Sequence, residues 1–182
     1  VPLHRANVQE TGDYVIKAES CYRCGIKCHK NVYDIDEDGQ AGQFRAKLDF
    51  EPLNLLSSNI GIFDIDQACT LVELVDELGM DSISCGVSLS YAMEYNRRHA
   101  DDGKATAEGP RFGDFEGARQ AILDIGEGRN ELIGQGSLRM SEELGEPEYA
   151  MHCKGMELPA YLPQHNPGYP WAMAGGHMSM RT

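Results

Sequence analysis

Three cysteines crowd one octet, Cys21-Tyr-Arg-Cys24-Gly-Ile-Lys-Cys28, and thiolates so closely spaced suit a soft metal. A short loop can turn three sulfurs towards one face of an iron–sulfur cluster or a zinc ion, with Gly25 letting the chain bend between ligands. A [4Fe–4S] cluster would take its fourth ligand from elsewhere. His29, next to Cys28, keeps a zinc site open as a second reading, although no further ligand pair follows at zinc-finger spacing. Three ordinary cysteines are the third.

Other residues could do chemistry of a different kind. Asp76-x-x-Gly79-Met80-Asp81 offers two carboxylates, a glycine that permits close backbone approach, and the free N–H groups of a helix start, which together could grip phosphates or polar heterocycles. The same residues also read as a helix C-cap glycine followed by an Asp N-cap. Glu51 sits between Phe50 and Pro52, either at an edge or buried as an acid of raised pKa. His152 lies within Ala150-Met151-His152-Cys153-Lys154-Gly155-Met156-Glu157-Leu158-Pro159, where a lone histidine is either structural or catalytic. Asp34-x-Asp36-x-Asp38-Gly39 imitates half of a calcium loop. Arg45 stands where the bidentate glutamate belongs, so the stretch reads as an acidic hairpin tip or exposed turn.

The elements that must hold these groups are mostly helical. The pattern predicts a helix from Asp64 or Asp66 to Leu78, with Ala68, Leu71, Val72 and Val75 on one stripe and Gly79 ending it. A second helix is expected over Ile83–Arg98, where Ser84, Cys85, Gly86, Ser88 and Ser90 alternate with larger apolar residues and imply close packing on more than one face. A third spans about Asp114–Ile125 and a fourth about Asn130–Leu144, with Gly136 inward. Residues 1–20 read as the tail of an earlier helix or loop. From Gly145 onward Pro147, Pro159, Pro163, Pro167 and Pro170 oppose helix. The expected fold class is mainly α, with residues 1–147 as a helical domain and 148–182 as the beginning of another.

Composition narrows the functional class. The chain has 182 residues, 41% apolar and 25% charged, as in ordinary globular proteins. A net charge of −13 argues against nucleic acid, which requires clustered Lys and Arg. No run approaches the roughly 20 apolar residues of a membrane span. Cys69, Cys85 and Cys153 lie singly, so the distribution reads as one three-cysteine metal cluster in a reducing compartment rather than a disulfide framework, and a cytoplasmic setting is expected. Neither end has terminal character, and both are expected to be cuts in a longer chain.

The pieces also occur together and in order. Cys21-x-x-Cys24-x-x-x-Cys28, Glu51 ahead of Leu55-Leu56-Ser57-Ser58-Asn59, Asp76-x-x-Gly79-Met80-Asp81-Ser82-Ile83-Ser84, and Ala150-Met151-His152-x-Lys154-Gly155-Met156-Glu157-Leu158-Pro159-Ala160-Tyr161 resemble the tungsten-containing aldehyde:ferredoxin oxidoreductase family. The last block is the most specific, because helix packing does not demand that string.

The resemblance implies the helical middle domain of a larger enzyme, in which two pterin dithiolenes hold tungsten, or molybdenum, beside a [4Fe–4S] cluster. Electrons would pass to ferredoxin or an electron-transfer subunit. By this likeness Cys21, Cys24 and Cys28 are three cluster ligands, with the fourth beyond Thr182. Asp76, Gly79, Met80 and Asp81 match the first pterin motif, Met80 replacing the usual Leu, and Lys154 joins the cofactor-binding set. Glu51 and His152 match the acid and histidine beside the metal. A small aldehyde is the implied substrate, and a homodimer is the assembly to expect. Residues 167–182 depart from the aldehyde enzymes, which keeps open a benzoyl-CoA reductase-type subunit reducing an aryl-CoA. With half of each cofactor site implied to lie outside it, the chain alone is expected to be inactive and to hold no complete cofactor. The rival of another class is a non-catalytic, zinc-stabilised helical module that meets a basic partner.

Overall fold

Alternation of apolar and polar residues in Asn31-Val32-Tyr33 and Arg45-Ala46-Lys47-Leu48 suits strands with one buried face, and both segments pair as such. The structure, a computed structural model, describes residues 12–105 and 109–160, together with Leu3 and Val8. Strands β1 (Tyr14–Glu19), β2 (His29–Ile35) and β3 (Ala41–Leu48) form an antiparallel meander. Its register runs Tyr14↔Asp34 to Glu19↔His29 and then Lys30↔Leu48, with a bulge around Tyr33. Val32, Ala46 and Leu48 supply the buried face.

The reading of residues 1–20 as a helix tail or loop is therefore corrected over Tyr14–Glu19, which is strand. The mainly α expectation omits a sheet that lies along one side of the helices. The acidic stretch is indeed a hairpin tip. Asp36 Oδ1 accepts from Asp38 N–H (3.1 Å) and Gln40 N–H (2.6 Å), and Gly39 turns at φ +74°. Arg45 pairs with Asp34 of β2 (3.6 Å) and ties the sheet to the Ile65–Glu77 helix through Asp66 (3.0 Å).

Six α-helices follow among the described residues: α1 (Phe50–Leu55), α2 (Ile65–Glu77), α3 (Ser82–Arg98), α4 (Phe115–Gly126), α5 (Glu131–Gly134) and α6 (Ser137–Leu144). Local sequence starts most of them. Asp64, Asp81, Asp114 and Asn130 each accept a backbone N–H three residues on, satisfying a donor that the first helical turn leaves free. The expected helix over 130–144 is instead two, because Gly136 adopts φ +89°, outside any helix. A short hairpin, β4 (His152–Cys153) and β5 (Met156–Glu157), follows a 3₁₀ turn at Pro147–Tyr149. Pro163, Pro167, Pro170 and the rest of 161–182 lie outside the described residues.

The central helix is α3. It is buried on most of its circumference, from Cys85 through Leu89 and Met93 to Asn96, and α1, α2, α4, α5, α6 and β5 all pack on it. Small residues make this possible, as their alternation predicted. A Cβ on Gly86 would lie 2.7 Å from the Leu55 carbonyl oxygen, so only glycine lets α1 seat there. Leu71, Val72 and Val75 of α2, Ile122 of α4 and Met140 of α6 complete the core. No helix among the described residues is long and apolar enough to cross a membrane.

Candidate functional site

The three-cysteine loop joins β1 to β2, held at its base by the Glu19↔His29 pair. Inside it, Cys24 N–H donates to the Cys21 carbonyl (2.9 Å), Arg23 takes the left-handed φ of +58°, and Cys28 N–H donates to the Ile26 carbonyl (2.8 Å). Lys30 Nζ gathers the carbonyls of Lys27 (2.7 Å) and Cys28 (3.1 Å), closing the loop's far end. Cys21, Cys24 and Cys28 are free and exposed, flanked by Tyr22 and Ile26 at 86% and 72% exposure. The loop gathers the thiols without converging them, since no three His, Cys, Asp or Glu side chains among the described residues form a metal-ligand group. His29 is buried, unlike its cysteine neighbours. Its Nδ1 has no hydrogen-bond partner among the described residues.

Two of the remaining cysteines contrast in kind. Burial pushes the Cys69 and Cys85 thiols up to about 12, so neither offers a thiolate near neutrality.

The motif at 76–81 is the joint between α2 and α3. Gly79, at φ +68°, donates its N–H to Asp76, and Met80 N–H reaches back to the Val75 carbonyl, both at 3.0 Å. This paired pattern is a Schellman cap, which ends α2 and satisfies its last carbonyls. Asp81 Oδ1 then accepts from Ser84 N–H (2.8 Å) and starts α3. Met80 and Asp81 line a cavity of about 230 Å³ with Ser84, Ile133 and Gly136. Asp76 and Gly79 are exposed and stand outside it.

Glu51 occupies the first turn of α1 and is half-buried. His152 opens β4 and is also half-buried, its Nδ1 accepting from Gly155 N–H at 3.4 Å. That bond leaves the proton of a neutral imidazole on Nε2. The α1 helix packs on α3, as does the hairpin through β5. A cleft of about 300 Å³ beside α1 and α3 is lined by Asn54, Asn59, Val87 and, from either side of the hairpin, Met151 and Leu158. Glu51 is one turn before Asn54, and His152 directly follows Met151. Neither Glu51 nor His152 lines the cleft, and no hydrogen bond joins them. Lys154, exposed at φ +54°, and Gly155, at φ +82°, form the tip of the hairpin, the two positive angles of a type I′ turn.

Two further groups were missed by sequence reasoning. Glu157 is buried and accepts from Ser137 N–H (2.8 Å) and Ser137 Oγ–H (2.9 Å). His99, also buried, bridges Asp102 Oδ2 (2.5 Å) and Glu146 Oε1 (2.6 Å). Tyr149 donates to the other Glu146 oxygen at 2.7 Å, and Tyr91 to its backbone carbonyl at 2.8 Å. The Asp102 bond, and then the Glu146 bond, hold the imidazole pKa above its ordinary value. Only the Asp102 half of this cluster had a local signal, the adjacent acids Asp101 and Asp102.

A sequence model of the family described as aldehyde ferredoxin oxidoreductase, domains 2 and 3, matches residues 3–178. The chain belongs to that family. It is 33% identical to the tungsten-containing aldehyde ferredoxin oxidoreductase of Pyrococcus furiosus over 171 residues, covering 90% of this chain and 27% of that protein. The Thermococcus kodakarensis enzyme of the same description is 32% identical, over 91% of this chain and 28% of its own length. An aliphatic sulfonate oxidoreductase, WOR-like subunit, from P. furiosus is 29% identical over 84% of this chain and 26% of that protein. The chain therefore spans little more than a quarter of the length of these oxidoreductase relatives.

Proposed function

We propose that this chain is the part of a tungstopterin, iron–sulfur oxidoreductase that carries three cluster ligands and one wall of the pterin site, and that the complete enzyme oxidises aldehydes to carboxylates. The observation that carries the proposal is the common scaffold. One helix, α3, begins at the Met80–Asp81 cavity and seats both the Glu51 helix and the His152 hairpin. The free, exposed thiols of Cys21, Cys24 and Cys28 are the donor type that a [4Fe–4S] cluster takes, and they would be three of its four ligands. Asp76, Gly79, Met80, Asp81 and Lys154 would hold the pterin. Residues 1–147 and 148–182 are read as the helical domain and the start of the next.

Converting an aldehyde and water to a carboxylate releases two electrons and three protons. When bound, the tungsten pterin and the cluster would supply the two-electron acceptor and the one-electron exit to a ferredoxin. The chain's own residues handle protons. Glu51 takes the proton released as oxygen adds to the carbonyl carbon. His152, with Nδ1 engaged by the Gly155 amide, presents Nε2–H as a donor to the substrate oxygen, where negative charge grows. A cytoplasmic setting and a homodimer belong to the same reading. Residues 167–182, which differ from the aldehyde enzymes, make an aryl-CoA the second substrate class to assay.

The test is metal-normalised kinetics of the full-length protein purified anaerobically, with aldehydes or aryl-CoA thioesters as substrates. Glu51→Gln keeps size and hydrogen bonding but removes the base, and should lower kcat by about 10²–10⁴-fold with tungsten and iron retained. His152→Asn should lower turnover and alter its pH profile. Unchanged kcat per tungsten in both variants removes these residues from the mechanism.

A further inference from the structure

We infer that Glu157 is a positioning residue of this site: its buried carboxylate fixes the His152 hairpin on the start of α6 and so sets where the imidazole stands. The inference rests on the reading of His152 given above. Glu157 is 6% exposed and Ser137 fully buried, so neither relies on water. A carboxylate withdrawn from solvent needs donors, and the first turn of a helix has unsatisfied N–H groups and the positive end of the helix dipole. Ser137, the first residue of α6, gives Oε1 both its backbone N–H and its hydroxyl.

The anchor reaches His152 directly. His152 and Glu157 are register partners across the β4–β5 ladder, joined through a tight two-residue turn with little slack. Two strands of two residues each are far too short to hold their own geometry in water. Their placement must come from outside, and Glu157 is the buried charged link available.

The same oxygen lies against the break before α6. A Cβ at position 136 would stand 3.0 Å from Glu157 Oε1, and the backbone there is at φ +89°, so glycine alone fits. Gly136 also lines the cavity that Met80 and Asp81 share. One carboxylate thereby ties the hairpin proposed to act on substrate to the wall of the cavity proposed to take the pterin.

Two variants in the full-length protein test this. Glu157→Gln keeps volume and an acceptor oxygen but removes the charge, and Ser137→Ala removes the hydroxyl donor alone. Hydrogen exchange of amides 151–158 should quicken about tenfold in E157Q, the scale of a weakened charge-assisted hydrogen bond, and less in S137A, with α2 unaffected. Turnover per bound metal should fall through kcat with KM little changed. If Glu157 acts through His152, the double variant H152N/E157Q turns over like H152N within about twofold. Effects that multiply, or exchange unchanged in both single variants, overturn the inference. Should H152N alone leave turnover untouched, the reading of His152 fails separately, and the exchange data still decide whether Glu157 fixes the hairpin.

Discussion

Gly86→Ala probes the contact on which the placement of Glu51 depends. The added methyl would meet the Cβ and carbonyl oxygen of Leu55 at 2.7 Å, roughly 0.7 Å inside ordinary van der Waals contact. Overpacking of this kind costs roughly 1–3 kcal/mol, while alanine regains about 1 kcal/mol of helix propensity. Because a backbone carbonyl cannot turn away as a side chain can, the upper part of that range applies, and a net loss of about 1–2 kcal/mol is expected. The loss should concentrate in α1, whose last residue is Leu55. Hydrogen exchange across residues 50–56 of the full-length protein should accelerate about 5- to 30-fold, matching that energy. Gly126→Ala is the control, since its methyl would meet the far end of the Leu78 side chain at 2.7 Å and that chain can rotate. Parent-like exchange in G86A, or equal effects in G86A and G126A, would refute the close-approach argument. A faster α1 with unchanged turnover would separate Glu51 from the reaction.

Two further predictions concern the cysteine loop and the histidine clasp. Cys24→Ser in anaerobically purified full-length protein should lower iron and acid-labile sulfide, and iron content equal to the parent would remove the loop as a cluster site. His99, its pKa raised above the ordinary 6.5 chiefly by Asp102, contributes stability fully present below that value and lost as pH rises through the higher folded one. Asp102 and Glu146, held low chiefly by His99 and by Tyr149 respectively, lose their contributions only on the acid side. Amides 146–149 should therefore open progressively from neutral to alkaline pH, and His99→Gln should abolish that dependence. A flat profile in the parent would rule out a charged clasp.

Sequence by itself determined whatever depends on atoms a few residues apart. The caps at Asp64, Asp81, Asp114 and Asn130, the Gly79 helix stop and the Asp36 turn are local hydrogen bonds, legible because donor and acceptor lie within one turn of chain. The cysteine loop is legible for the same reason, and the ordered motifs pointed to the family. The strand Tyr14–Glu19 was not legible, because its partial burial follows no clean alternation and its partner is an adjoining strand. Tertiary structure alone decided the rest. Gly136 separates α5 from α6 at φ +89°, and Glu157, twenty-one positions on, stands 3.0 Å from where its Cβ would be. His99 meets Glu146 across 47 positions, and the Glu51 helix and the hairpin that carries His152 both pack on α3, the hairpin through β5. Such pairings cost chain entropy that only the assembled core can offset, so no local pattern announces them.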